Sequence, residues 1–229
     1  MSSSVTSSHP RQLALALGHA ENYAREDFLS GPCNEGALQL IDCWPDWPAN
    51  AIALIGPEGS GKTHLASIWA AAAGARVVSA RSLGEAGLPS ALATGALVVE
   101  DAAAPAEDER ALFHLINLAR EEKAFLLFTA RAAPATWPLA LPDLVSRLRA
   151  LPVVTLQPPD DAMLRAVIVK VAVDRQLALD ESVVRYLSTH IERSFAAARA
   201  AVIALDNEAL RQGRPATRAL AAEIFRERT

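Results

Sequence analysis

The sequence predicts an α/β fold in which a parallel β-sheet is covered by helices on both faces and is followed by a small all-helical domain. Five short apolar runs alternate with amphipathic stretches, which is the pattern of parallel strands joined by crossover helices. A glycine-rich loop comes directly after the first apolar run, at residues 56–63. After Pro158 and Pro159 the apolar residues take a helical period, so a separate helical unit is expected there.

The predicted strands are the apolar runs at residues 51–55, 77–79, 96–99, 124–129 and 153–156. Because these runs are short and apolar throughout, we expect a sheet that is buried on both faces. Helical periodicity predicts four helices beyond the prolines, at residues 160–176, 180–191, 195–212 and 217–226, with Asp180 as an N-cap. The expected organisation is a polar tail at residues 1–20, an α/β core at 21–157 and a C-terminal all-α lid domain at 158–229.

The composition argues against several functional classes. The 229 residues are 51% hydrophobic and 21% charged, which is ordinary for a soluble globular protein. No apolar run reaches the roughly 18–20 residues of a membrane-spanning helix, and the polar first residues contain no secretory signal. A net charge of -4 argues against a large nucleic-acid interface. Cys33 and Cys43 have no CxxC spacing, so we expect two reduced thiols in a cytoplasmic protein.

The glycine-rich loop has the spacing of a phosphate-binding loop and lies between a predicted strand and a predicted helix. Gly56, Gly59 and Gly61 allow the backbone to turn tightly and to direct N–H groups at phosphate oxygens. Lys62 is placed to reach the β- and γ-phosphates, and the Thr63 hydroxyl to ligate magnesium. The predicted cofactor is therefore ADP or ATP with Mg²⁺, bound by Gly56, Pro57, Glu58, Gly59, Ser60, Gly61, Lys62 and Thr63, and His64 is counted with these nucleotide-binding residues.

Two acidic residues follow the predicted strand at residues 96–99. In phosphate-loop proteins a carboxylate at the end of a neighbouring strand holds magnesium and another polarises a water molecule. By position, Glu100 is expected on the metal side and Asp101 on the water side, as the catalytic acid. Glutamate is unusual in the metal-side position, and its longer side chain is expected to alter the magnesium geometry or slow hydrolysis. The alternative is a solvated acidic loop with no catalytic role.

Several further segments, taken in order, resemble the AAA+ ATPases of the DnaA family of bacterial replication initiators. His64 follows the loop threonine as it does in that family, and FLSGPCN at residues 28–34 is similar to the family's adenine-side loop. FHLIN at 113–117 looks like the helix before the sensor 1 strand, and LLFTAR at 126–131 like that strand itself. LVSRL at 144–148 resembles the arginine-finger segment, and Glu192-Arg193 the sensor 2 arginine.

This resemblance implies roles for individual residues. Arg147 is implied to act in trans, as the arginine that reaches the γ-phosphate held by a neighbouring subunit; the alternative is a surface pair with Asp143 on one helical face. Arg193 is implied to contact nucleotide from the lid, the alternative being a surface salt bridge. Thr129 is implied to hold a water or a phosphate oxygen. Arg131 and Arg149 lie close in the chain to these positions and are the competing assignments, while His64 and His114 are expected to be structural.

The N-terminal tail contains a second resemblance. Gln12, Leu13, Leu15 and Leu17 are similar to the short peptide with which bacterial proteins dock into the replicase sliding clamp (beta). Leucines of an extended peptide fill an apolar cleft, and a glutamine amide sets the register through hydrogen bonds. Ala16 stands where a proline is common in such motifs. The alternative is a strand, or the first turn of a core helix.

Together these resemblances imply a regulator of chromosomal replication initiation. Docked on the DNA-loaded clamp, a nucleotide-bound protein of this kind would stimulate ATP hydrolysis by the initiator DnaA and so prevent re-initiation. The resident nucleotide is expected to be ADP, the intrinsic ATPase activity weak and any DNA contact indirect, while self-association is left open. We expect no helix-turn-helix domain after the last predicted helix, because the chain ends at Thr229. The competing hypotheses are an autonomous ATPase motor such as a DnaC-like helicase loader, and a clamp-independent adaptor of the initiator.

Overall fold

A computed structural model gives the structure of the protein and describes residues 23–103 and 109–225. The clamp-like motif of Gln12, Leu13, Leu15 and Leu17 therefore lies outside the described residues. The strands are β1 (Ala51–Ile55), β2 (Arg76–Ser79), β3 (Ala96–Glu100), β4 (Phe125–Ala130) and β5 (Val153–Thr155). The helices are α1 (Glu35–Asp42), α2 (Lys62–Ala73), α3 (Leu88–Ala91), α4 (Glu109–Glu121), α5 (Pro142–Arg149), α6 (Asp161–Asp174), α7 (Glu181–His190), α8 (Phe195–Gln212) and α9 (Arg218–Phe225). The predicted α/β class and its five strands are confirmed.

The five strands form one parallel sheet in the order β2-β3-β4-β1-β5. The central strands β1, β3 and β4 are the most apolar and the most buried, whereas the edge strands β2 and β5 are largely exposed. In this order β1 and β3 both pair with β4, so the carboxyl ends of these three strands meet at one edge of the sheet. In parallel sheets that edge is where ligands bind.

Each face of the sheet has its own apolar core. On one face, alternate residues of β3 and β4 such as Leu97 and Phe128 pack against α4 and α5. On the other face, Ile52, Leu54 and Leu127 pack with α1 and α2, where Trp69 is fully buried. This arrangement explains the continuous apolar character of the strands, because neighbouring residues point into two different cores.

The C-terminal helices α6–α9 pack around a third core whose buried members include Leu164, Val183 and Leu205. Three of these helices begin at a capping side chain: Asp160, Asp180 and Ser194 each accept a hydrogen bond from the backbone N–H three residues further on. The predicted N-cap at Asp180 is therefore confirmed. Within the described part of the chain, no helix is both long and apolar enough to cross a membrane.

Candidate nucleotide-binding site

The glycine-rich loop joins β1 to α2 at the carboxyl edge of the sheet, in a conformation that needs its glycines. Gly59 and Gly61 have φ angles of 68° and 94°, in the left-handed region that side chains disfavour. A Cβ atom on Gly56 would lie 2.8 Å from the carbonyl oxygen of Leu156 and 2.8 Å from the hydroxyl of Ser60. No side chain of the described residues caps α2 at Gly61, so the first N–H groups of the helix are available to an anion.

Two polar groups of the loop fit a phosphate ligand. The Ser60 hydroxyl is buried and has no hydrogen-bond partner among the residues that the structure describes, which is a costly arrangement that a polar ligand group would relieve. The Lys62 Nζ atom donates to the carbonyl oxygens of Gly56 at 2.9 Å and Pro57 at 2.7 Å, so its charge stays at the loop. Burial lowers the pKa of the Lys62 ammonium, and the charge of Arg131 lowers it further.

The acidic residues and the predicted sensor 1 threonine meet beside this loop. Thr129 is buried on β4, and its hydroxyl accepts a hydrogen bond from the backbone N–H of Asp101 at 3.4 Å. Asp101 has a φ angle of 54°, and its carboxylate acts to raise the pKa of Lys62 against the effect of burial. Glu100 is half-buried at the end of β3 and Thr63 is exposed on the first turn of α2. Their oxygen atoms are of the kind that Mg²⁺ prefers.

A cavity of about 450 Å³ opens next to the loop, between the sheet domain and the C-terminal helices. Its size is that of a small-molecule site. Residues of three parts of the chain line it: the segment before α1, the start of α2, and the facing surfaces of α6 and α8. At its rim the Lys170 ammonium donates to the carboxylate of Asp27 at 2.7 Å, and this hydrogen bond lowers the pKa of the Asp27 carboxyl.

His64 fastens the segment before α1 over this cavity. Its Nε2 atom lies 3.0 Å from the carbonyl oxygen of Ala24, and its ring meets Phe28 and Tyr23 edge to face at 5.2 Å and 5.3 Å between centroids. Burial lowers the pKa of the His64 imidazole, which favours the neutral ring. These contacts hold the segment before α1 against the start of α2.

The start of α8 rests directly on the phosphate loop. The backbone N–H of Phe195 donates to the carbonyl oxygen of Gly59 at 2.9 Å. A Cβ atom on Gly59 would come within 2.9 Å of the Ala196 Cβ atom, so only glycine permits this close approach. The sheet and the C-terminal helices therefore both contribute to the surface around the loop.

Comparison with solved structures relates this architecture to known proteins. Domain III of the replication initiation protein DnaA from Thermotoga maritima matches with a TM-score of 0.74 at 20% identity, over 91% of this chain and 97% of the other. The chain has the AAA+ fold. DnaA from Aquifex aeolicus, bound to AMPPCP, matches with a TM-score of 0.65 at 20% identity, over 80% and 64% of the two chains. The RuvB Holliday junction branch migration motor of T. maritima matches with a TM-score of 0.69 at 16% identity, over 88% and 70%.

No protein-family model and no curated protein sequence matches the chain. At these identities the solved structures establish the AAA+ fold, while the roles of individual residues depend on their surroundings in this chain. The predicted site residues still to be placed are Arg193 and Arg147. The two arginines lie in different parts of the fold.

Arg193 and Arg199, two arginines of the helical part, differ in their access to the cavity. Arg193 lies in the turn before α8, is 59% exposed and pairs with Asp161 at 2.6 Å, which is the surface salt bridge considered as the alternative for this residue. Arg199, which the sequence analysis did not single out, lines the cavity. Its guanidinium makes no ion pair or hydrogen bond within residues 23–103 and 109–225, and its charge contributes to lowering the pKa of His64.

Arg199 could have been identified from its helical spacing to Phe195, the residue of α8 that contacts the phosphate loop. It stands four residues after Phe195, and both residues line the cavity, since positions four apart share one face of a helix. What the sequence lacked was any sign that this face of α8 lies against the phosphate loop.

Arg147 lies on α5, outside the cavity. Its guanidinium carbon lies 5.1 Å from the centre of the Phe113 ring on α4, a cation–π contact. No carboxylate lies within ion-pair distance of Arg147 in the part of the chain that the structure describes, so the pair with Asp143 that was considered as the alternative is not formed. By contrast, Arg131 pairs with Glu58 of the phosphate loop at 2.8 Å.

Proposed function

We propose that the loop at residues 56–63 binds ADP or ATP with Mg²⁺, with the base in the adjoining cavity. The unpartnered buried hydroxyl of Ser60, the free N–H groups at the start of α2 and the charge of Lys62 support a phosphate ligand. The cavity beside His64 has room for the base of the nucleotide. The DnaA structure from Aquifex aeolicus, which shares the fold, is bound to AMPPCP.

In this proposal Thr63 and Glu100 supply oxygen ligands to magnesium, and Asp101 and Thr129 face the phosphate end of the nucleotide. The hydrogen bond from the Asp101 N–H to the Thr129 hydroxyl holds these two residues together at the sheet edge. Arg193 remains a candidate for a lid contact if it exchanges Asp161 for a phosphate oxygen.

We further propose that the protein is a regulator of replication initiation of the Hda type, a regulatory inactivator of DnaA. The observation that carries this proposal is the position of Arg147, which lies outside the cavity of its own molecule, stacks on Phe113 and has no carboxylate partner within residues 23–103 and 109–225. A guanidinium that lies outside its own cavity can contact the ATP of a neighbouring molecule. There it would stabilise the charge that develops on the γ-phosphate. The neighbour would be the ATP-bound initiator DnaA, whose ATP is then hydrolysed.

Docking on the sliding clamp through residues 12–17 would bring the regulator to replicated DNA. We expect immobilised clamp to retain the wild-type protein and to lose the Gln12→Ala/Leu13→Ala variant, because the register-setting amide and one anchoring leucine are removed. The matched control is Ser7→Ala/Ser8→Ala in the same tail, which should bind like the wild type. Failure of the wild type to bind the clamp would refute the clamp-linked role.

Arg199 provides a test of the nucleotide site that is independent of the clamp. Replacing Arg199 with alanine should weaken ADP binding about tenfold, since one hydrogen bond from a charged guanidinium to the nucleotide contributes roughly 1.5 kcal/mol. Arg193→Ala is the matched comparison, and its effect should be smaller because that guanidinium is engaged by Asp161 at the surface. Isothermal titration calorimetry measures both constants. A larger loss for Arg193→Ala would reverse the assignment.

A further inference from the structure

The start of helix α5, which carries Arg147, is held by a side chain of α4. The Glu109 carboxylate accepts hydrogen bonds from the backbone N–H of Ala140, at 2.9 Å to Oε1 and 3.0 Å to Oε2. Its Oε2 atom also accepts from the N–H of Leu141 at 2.9 Å. Pro142 follows as the first residue of the helix and has no N–H, while no side-chain group of Leu141 caps the helix. Glu109 thus holds the two residues that lead into the helix, where the local sequence supplies no capping side chain.

The same turn of α4 also holds the other end of α5. Phe113 is four residues after Glu109, so both side chains lie on one face of α4. The Phe113 ring lies under the Arg147 guanidinium. Between these two contacts, Leu144 and Leu148 are fully buried and set the rotation of α5 against the core.

Two kinds of interaction set the position of α5, one its rotation and the other the point at which it begins. The buried leucines prevent rotation of the helix, but apolar packing is not directional and does not fix where the helix begins. Three hydrogen bonds to one carboxylate do fix that point, because their geometry is restrictive. The negative charge of Glu109 also lies at the positive end of the helix dipole.

We infer that Glu109 is a positioning residue for Arg147: it fixes the start of α5, so that the guanidinium is presented at a defined distance from the surface of the protein. This inference rests on the proposed function, since it names the residue that sets the geometry of the arginine acting in trans. A purely structural role of Glu109 would change stability alone. A positioning role changes the maximal rate of the stimulated reaction and leaves the affinity for the partner unchanged.

The test measures hydrolysis of DnaA-bound ATP as a function of the concentration of this protein, with clamp and DNA present. Glu109→Ala should lower the maximal rate about 30-fold, because a displacement near 1 Å costs up to roughly 100-fold in a positioned reaction. The concentration that gives half-maximal stimulation should not change. Glu109→Gln keeps one accepting oxygen and should recover most of the rate. Glu121→Ala, at the opposite end of α4, is the matched control and should behave like the wild type.

Hydrogen exchange at the amides of Ala140 and Leu141 gives a second readout that does not involve the initiator. In Glu109→Ala these two amides should exchange about tenfold faster than in the wild type, since each loses the carboxylate that accepts its hydrogen bond. Wild-type stimulation that Arg147→Ala abolishes and Glu109→Ala leaves intact would overturn the positioning role alone. Absence of any stimulation by the wild type would overturn the proposed function, and the positioning role with it.

Discussion

Replacing Lys62 with alanine should weaken the binding of both ADP and ATP by roughly 100-fold, because two charge-assisted hydrogen bonds to phosphate together contribute roughly 3 kcal/mol. In the structure its ammonium lies against the carbonyl oxygens of Gly56 and Pro57, at the loop that would hold the phosphates. Arg131, whose charge acts on Lys62 from the end of β4, is engaged by Glu58 and is therefore not expected to take its place. Fluorescence titration with a labelled ADP analogue measures the change.

Arg120→Ala is the control for this experiment, because it removes an exposed cation from α4 without touching the loop. The control should bind nucleotide like the wild type. Retention of wild-type affinity by Lys62→Ala would mean that the loop does not bind phosphate in the proposed way. Thermal unfolding of both variants, with and without ADP, distinguishes loss of binding from loss of folding, since ligand stabilises only a state that binds it.

Arg147→Ala should reduce the stimulated hydrolysis of initiator-bound ATP by about 1,000-fold, at the lower end of the range for an arginine supplied in trans to a phosphoryl transfer. The physical reason is that the guanidinium stabilises the charge distribution of the transition state more strongly than that of bound ATP, so its loss raises the barrier. The rate is followed by the release of phosphate from initiator loaded with labelled ATP. Nucleotide binding by the variant itself should stay normal, because Arg147 lies outside the cavity.

Arg149→Ala is the matched control for Arg147→Ala. It removes the same charge from the same helix two residues further on, where the side chain is exposed. Stimulation that survives Arg147→Ala but is lost in Arg149→Ala would transfer the role to the neighbouring arginine. Stimulation that survives both substitutions would exclude α5 as the source of the acting cation.

The local features of the fold could be predicted from the sequence. The central strands were predictable because their apolar runs serve two cores, and the phosphate loop because its glycines are needed at φ angles that other residues disfavour. The cap at Asp180 was predictable because a capping side chain acts only three residues along the chain.

The contacts that distinguish the site could not be predicted in the same way. The approach of Ala196 to Gly59, the exposure of Arg199 to the cavity and the pairing of Arg193 with Asp161 all join segments far apart in the sequence. The hydrogen bonds from Ala140 and Leu141 to Glu109 join residues 31 and 32 positions apart. Such contacts depend on how the elements pack, which no periodicity or spacing within one segment encodes.

The central claim is that this protein makes the initiator hydrolyse its ATP. The most direct measurement is single-turnover hydrolysis of labelled ATP bound to DnaA, with the wild-type protein, ADP and clamp loaded on DNA. We predict that hydrolysis accelerates only when the protein and the loaded clamp are both present. An unchanged slow rate with every component present, together with rapid ATP turnover by the isolated protein, would contradict the regulator and favour an autonomous motor.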